Sequence, residues 1–100
     1  MLKKQFLKTK CKVTFKLSPE DTNATSVSVV GTFNEWDPSA NPMKALKSGG
    51  FSKTITLDKD AEYEYRYVDQ DGNWFNDPKP DGTTPNEHGG ENCVVRTYDV

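Results

Sequence analysis

Two tryptophans stand in polar surroundings. Trp36 lies in Asn34-Glu35-Trp36-Asp37-Pro38, and Trp74 follows Asp71-Gly72-Asn73 and precedes Asn76-Asp77-Pro78. A tryptophan that serves a core ordinarily sits inside an apolar run, whereas these two sit where strands stop and loops begin. An indole offers a wide apolar face and one N–H donor. That suits a ligand with an apolar face and a polar rim. A pyranose ring is one, since its C–H face can stack while neighbouring side chains bond its hydroxyls. One such tryptophan alone would read as a cap on a thin core. The two together read as one flat, solvent-exposed aromatic platform.

Arg66 is the third candidate. Between Glu62 and Asp69 the sequence alternates, with Tyr63, Tyr65 and Tyr67 on one face and Glu64, Arg66 and Val68 on the other. If the tyrosines face a core, Arg66 points to the side on which Trp74 emerges after the Asp71-Gly72 turn. The plain alternative is a surface arginine paired with Glu64 or a neighbouring carboxylate, an interaction worth little. Asp77-Pro78 reads as turn structure, the Asp side chain bonding nearby backbone, with no direct part in binding.

Other chemistries fare worse. Asp69-Gln70-Asp71-Gly72 hints at a calcium loop, but alignment on its glycine puts Tyr67 and Pro78 where an EF-hand needs carboxylates. Loop carboxylates are plentiful, yet a glycosidase pair needs a cleft that desolvates one acid, and a chain this small has little room for that. His88 is the single histidine, in a Gly-rich loop without a Gly-x-Ser-x-Gly motif. It reads as a solvated loop residue, with a sugar contact as a minor hypothesis. The expectation is no catalytic residue, no metal and no cofactor.

The elements that must position these residues are strands. Lys10 to Leu17 alternates Cys11, Val13, Phe15 and Leu17 against lysines and Thr14, the period of a half-buried strand, and the lysines suit a place near a sheet edge. Ser26 to Phe33, Phe51 to Leu57, Glu62 to Asp69, Asn73 to Asn76 and Asn92 to Tyr98 read as further strands. Val27 and Val29 face inward, and Lys53 is a blemish among Phe51, Ile55 and Leu57. Gly31 marks a bend or close backbone approach, and Asp71-Gly72 a hairpin. Asp77 to Gly90 reads as one long loop, and residues 1–9 as a poorly ordered lead-in or a docking turn. No stretch has useful helical periodicity. An all-β, immunoglobulin-like sandwich of about seven antiparallel strands is expected, as one domain over residues 1–100.

Composition narrows the field. Apolar residues make up 33%, low for a globular chain, but the 11% aromatic share supplies large buried area per residue. Net charge is −2 with signs interspersed and no basic stripe, so nucleic acid is not an expected partner. No apolar run approaches membrane-spanning length, so no membrane is expected either. The N-terminus lacks the pattern of a signal peptide, which leaves the cytoplasm as the expected compartment. There Cys11 and Cys93 should be buried thiols, with a bridge as the less favoured alternative.

An ordered set of motifs carries a resemblance. Gly31-Thr32-Phe33-Asn34-Glu35-Trp36, Pro42-Met43, Tyr63 to Asp69, Gly72-Asn73-Trp74 with Asp77-Pro78, and Gly89-Gly90-Glu91-Asn92 before Val94-Val95 occur in that order. Over roughly Ser26 to Val95 the chain resembles family 48 carbohydrate-binding modules. These include the glycogen-binding domain of the AMP-activated protein kinase β subunit and the N-terminal domains of isoamylases and glycogen branching enzymes.

The resemblance implies non-catalytic binding of α-1,4-linked glucan, such as glycogen, starch or maltooligosaccharide. It implies that Trp36 and Trp74 stack on sugar and that Arg66 stands where the kinase domains carry a sugar-binding lysine. Asn92 would meet hydroxyls, with Glu91 a weaker candidate. The kinase domains also carry an apolar residue that reaches through a cyclic glucan. Asn86-Glu87-His88-Gly89-Gly90 has none, and the Gly89-Gly90-Glu91-Asn92 form looks more like the modules attached to bacterial glucan enzymes, or free-standing copies of them. The alternative is a structural or protein-interaction module without its own sugar binding, partnered with a glucan branching or debranching enzyme or a kinase-type complex.

Overall fold

A strand with one buried face must find a second layer to cover it, and the alternating segments do so in two antiparallel sheets. The computed structural model describes residues 2–98. Its strands are β1 (Leu2–Phe6), β2 (Lys10–Leu17), β3 (Val27–Gly31), β4 (Lys44–Ala45), β5 (Phe51–Asp58), β6 (Glu62–Asp69), β7 (Trp74–Phe75), β8 (Gly82–Pro85) and β9 (Glu91–Arg96). One sheet runs β1-β2-β5-β4 and the other β3-β6-β9-β8, with β7 paired to β6. The described residues contain no helix. This is the expected immunoglobulin-like β-sandwich.

The core lies between the sheets. Cys11, Val13, Phe15 and Leu17 of β2 are fully buried, as are Val29, Tyr65, Tyr67, Cys93 and Val95 on the facing sheet. Phe15 bridges the layers: its ring centroid lies 5.0 Å from that of Tyr65, edge to face, and 5.6 Å from that of Phe33. Each such ring or branched chain contributes about 1.5–3 kcal/mol of burial. Both cysteines sit buried as thiols. Lys53 is on the inward face opposite Phe15, but only half-buried.

Three strands were not expected. The segment read as a lead-in forms β1, held along its whole length by β2 from Leu2↔Phe15 to Phe6↔Cys11; Met1 lies outside the described residues. It takes the edge position, so β2 is interior, and its lysines project from the outer face of the sheet rather than guarding an edge. The second is β4, two residues long, against β5. The third is β8, inside the segment read as one loop, its Gly-Thr-Thr-Pro sequence concealing a strand. Such a strand shows no hydrophobic alternation because it is an edge, and proline is tolerated there.

Register gathers charges that the linear sequence scatters. Lys3, Lys10, Lys12, Lys16 and Lys44 share the outer face of the first sheet with Thr14, Thr54 and Thr56, and Lys10 is paired with Asp58. A basic face therefore exists where no basic stripe was expected, because period-two alternation sorts neighbours onto opposite sides.

One polar cluster is built into the core. Asp77, only 4% exposed, accepts hydrogen bonds on Oδ2 from Tyr65 Oη at 2.8 Å and Tyr67 Oη at 3.2 Å. Its Oδ1 accepts the backbone N–H of Lys79 at 2.9 Å, the local turn bond expected. Burial, above all, pushes both tyrosine hydroxyls far above their ordinary pKa, with repulsion between the neighbouring groups adding to it. The sign of the consequence follows. The unfolded chain releases these protons near pH 10 and the folded chain keeps them. Stability is therefore complete below about pH 10 and falls as pH rises above it, by about 1.4 kcal/mol per pH unit for each tyrosine. Urea midpoints measured at rising alkaline pH should drop steadily, with native tyrosinate absorbance short of the full complement of four tyrosines. A midpoint flat to about pH 11 would contradict this.

Candidate functional site

The outer face of the second sheet carries the site. Its floor comes from β6, where Glu64, Arg66 and Val68 alternate with the core tyrosines, and from Asn92 and Val94 on β9. Val30, Val68 and Val94 lie on this outer side yet are 0%, 4% and 5% exposed. These three positions are therefore covered, and Val68 stands directly across from Trp74.

The corner that holds Trp36 begins at Gly31. A Cβ there would lie 2.3 Å from the Glu64 carbonyl oxygen, so only glycine allows β3 to approach β6 this closely. Asn34 then staples the turn. Its Oδ1 accepts Gly31 N–H at 3.0 Å, and its Nδ2 donates to Val29 O at 3.1 Å and Asn41 Oδ1 at 2.8 Å. Trp36 N–H donates to Gly31 O at 2.9 Å. Glu35 and Trp36 both adopt left-handed backbone, with φ of 57° and 58°. For side-chain-bearing residues this costs about 1–2 kcal/mol each, and the hydrogen bonds around Asn34 hold it in place.

Trp74 is set by a hairpin. Gly72 has φ +80° and donates to Asp69 O at 3.1 Å, while the Asp69 carboxylate accepts the backbone N–H groups of Asp71 at 2.9 Å and Asn73 at 3.0 Å. These bonds, the one from Asn73 first, hold the Asp69 carboxyl below the usual carboxylate range. The chain then returns as β7 and delivers Trp74, 41% exposed, beside Trp36, which is half-buried. The indole centroids are 6.2 Å apart and the planes 27° from parallel. The two planes are therefore tilted against each other and do not form the single flat platform expected. Each ring is set by its own turn, and the two turns meet because β3 and β6 are neighbours.

Arg66 lies with its Cζ 5.8 Å from the Trp74 ring centroid, a cation–π arrangement. Its expected alternative partner was Glu64 or a neighbouring carboxylate. Instead its Nε donates to Asn76 Oδ1 at 2.6 Å, and Asn76 Nδ2 donates to the Glu91 carbonyl at 2.9 Å. Asn92, half-buried, donates from Nδ2 to Glu64 Oε1 at 3.0 Å and accepts from Asn86 Nδ2 at 3.2 Å.

Trp36, Trp74, Arg66 and Asn92 thus meet at one concavity of about 610 Å³, which Glu64, Thr32 and the Pro85–His88 segment complete. The Glu91 side chain is not part of its wall. His88 is, at an exposed lip. Glu64 and Asn86 are the residues that sequence reading passed over. The alternation that placed Arg66 on this face places Glu64 there too.

The chain matches the family model of carbohydrate-binding module 48 (isoamylase N-terminal domain) over residues 9–85. It is similar to an amylopullulanase of Thermoanaerobacterium thermosulfurigenes, 37% identical over 65 residues, which cover 63% of this chain and 3% of that protein. It is also similar to an amylopullulanase of Thermoanaerobacter thermohydrosulfuricus, 36% identical over 66 residues, covering 63% of this chain and 4% of that protein. The chain spans only a small part of the length of these relatives. With a sandwich fold, a match across most of its length and an open polar-aromatic face, the chain belongs to carbohydrate-binding module family 48, a family of non-catalytic binding modules.

Proposed function

We propose that this domain binds α-1,4-linked glucan without turning it over: Trp36 and Trp74 stack on glucose units while Arg66 and Asn92 hydrogen-bond hydroxyls. The observation that carries this reading is the pair of indoles, 6.2 Å apart with planes 27° from parallel, at one concavity with Arg66 and Asn92. The name amylopullulanase, carried by both relatives, points to amylose and pullulan and so to the same sugar class.

Binding should be weak, because a shallow face desolvates little of its ligand; roughly micromolar to millimolar Kd fits such limited contact. Titration with maltoheptaose should give a saturable change in indole fluorescence, and cellohexaose a much smaller one. Silence at millimolar maltoheptaose would overturn the reading. Retention of a protein partner by a domain that ignores sugar would establish the interaction-module alternative.

A further inference from the structure

Two hydrogen-bond chains run through the floor of the concavity, and their ends fix their polarity. In the first, Asn86 Oδ1 accepts the backbone N–H groups of His88 at 2.9 Å and Gly90 at 3.0 Å. Its Nδ2 therefore faces Asn92, which must answer with Oδ1 and turn its own Nδ2 toward Glu64. Backbone N–H groups only donate and a carboxylate only accepts, so neither amide can be flipped without breaking the chain. In the second, Arg66 commits Nε to Asn76, which is fixed by the Glu91 carbonyl.

These chains redistribute the work of the site. Asn92 has spent a donor and a lone pair on the protein. Glu64 has spent Oε1 on Asn92, and its side chain lines the concavity. Arg66 keeps its terminal N–H groups. Glu64 and Arg66 are two residues apart on one strand face, roughly 6–7 Å from Cα to Cα. Together they present an anionic acceptor beside a cationic donor. Two adjacent hydroxyls of a neutral sugar match that pair, one donating and the other accepting.

We propose that Glu64 is a ligand-contacting residue whose second carboxylate oxygen accepts a hydrogen bond from a sugar hydroxyl while Arg66 donates to the neighbouring one. The ligand class it selects is a neutral sugar with a free vicinal diol. This rests on the glucan-binding reading above and adds to it a residue and a selection rule.

The test is Glu64→Gln. Asn92 still donates to the glutamine Oε1, so the amide nitrogen is what faces the ligand. An acceptor becomes a donor while size and the chain from Asn86 are kept. The Kd for maltoheptaose should rise about tenfold or more, the effect of losing a hydrogen bond to a charged group, with the thermal midpoint unchanged. If Glu64→Gln binds like the parent while Trp36→Ala does not bind, the proposal falls and the aromatic reading stands. If Trp36→Ala also binds like the parent, the reading of the site itself falls. If the Kd rises but the Asn92 side-chain amide signals move to unstructured positions in the NMR spectrum, Glu64 acts through Asn92 and direct contact is overturned.

Discussion

Alanine at Trp36 or at Trp74 is expected to weaken maltoheptaose binding at least about thirty-fold, the loss that marks a dominant contact residue. On the proposed reading each ring supplies a large apolar face that its alanine variant lacks. The two variants should differ in kind. Trp36→Ala removes a ring from a corner whose hydrogen bonds come from Asn34 and the backbone, so the fold should be little changed. Trp74→Ala also strips Arg66 of the ring beneath it and leaves Val68 without its cross-strand neighbour, so a modest drop in thermal midpoint should accompany the lost affinity. The double variant should lose less than the sum, because the rings are in contact and act on one ligand. Calorimetric titration of the three variants decides the matter. Affinity within a factor of about two of the parent in either single variant would contradict a stacking role.

The second large effect concerns stability. Asp77→Ala would leave the Tyr65 and Tyr67 hydroxyls buried without their shared acceptor and remove the bond that holds Lys79 N–H. Each buried polar group orphaned in this way costs about 1–3 kcal/mol. A total of about 3–5 kcal/mol is expected, a large part of the 5–15 kcal/mol typical of a whole domain. For a chain of this length the thermal midpoint should fall by more than roughly 12 °C. Tyr65→Phe or Tyr67→Phe should cost much less, about 1 kcal/mol, because one hydroxyl leaves and the carboxylate keeps its other partners. Urea unfolding that ranks either phenylalanine variant below Asp77→Ala in stability would show that the acid is not the keystone of this cluster.

Much of this architecture could be read directly. β2, β5 and β6 announce themselves because each buries one face, and alternation is what burial on one face produces. The hairpin at Asp71-Gly72 and the tight approach at Gly31 were legible from turn chemistry and the absence of a side chain. What escaped reading had a common cause. β1, β4 and β8 are edge strands whose pairing depends on a neighbour brought from elsewhere in the chain, so they need no pattern of their own. Val30, Val68 and Val94 break the rule of one wet face because those positions of the outer face are covered too. Asp77 reads locally as a turn residue, and nothing in the linear sequence places it under two tyrosines ten and twelve positions away.

The convergence of Trp36, Trp74, Arg66 and Asn92 was expected from resemblance and from strand faces. The wiring among them was not. Glu64 was read only as a neutralising neighbour for Arg66, yet each has a different partner. Hydrogen-bond direction is set by backbone groups in the Asn86–Gly90 loop, and those depend on how β8 and β9 join.

The left-handed pair Glu35-Trp36 bears on how a guest is received. The main chain that carries the Trp36 ring is set by the bonds around Asn34, so its conformational entropy is lost during folding and only the side-chain torsions are left to adjust on an encounter. The backbone of the empty and occupied forms of this corner should superimpose.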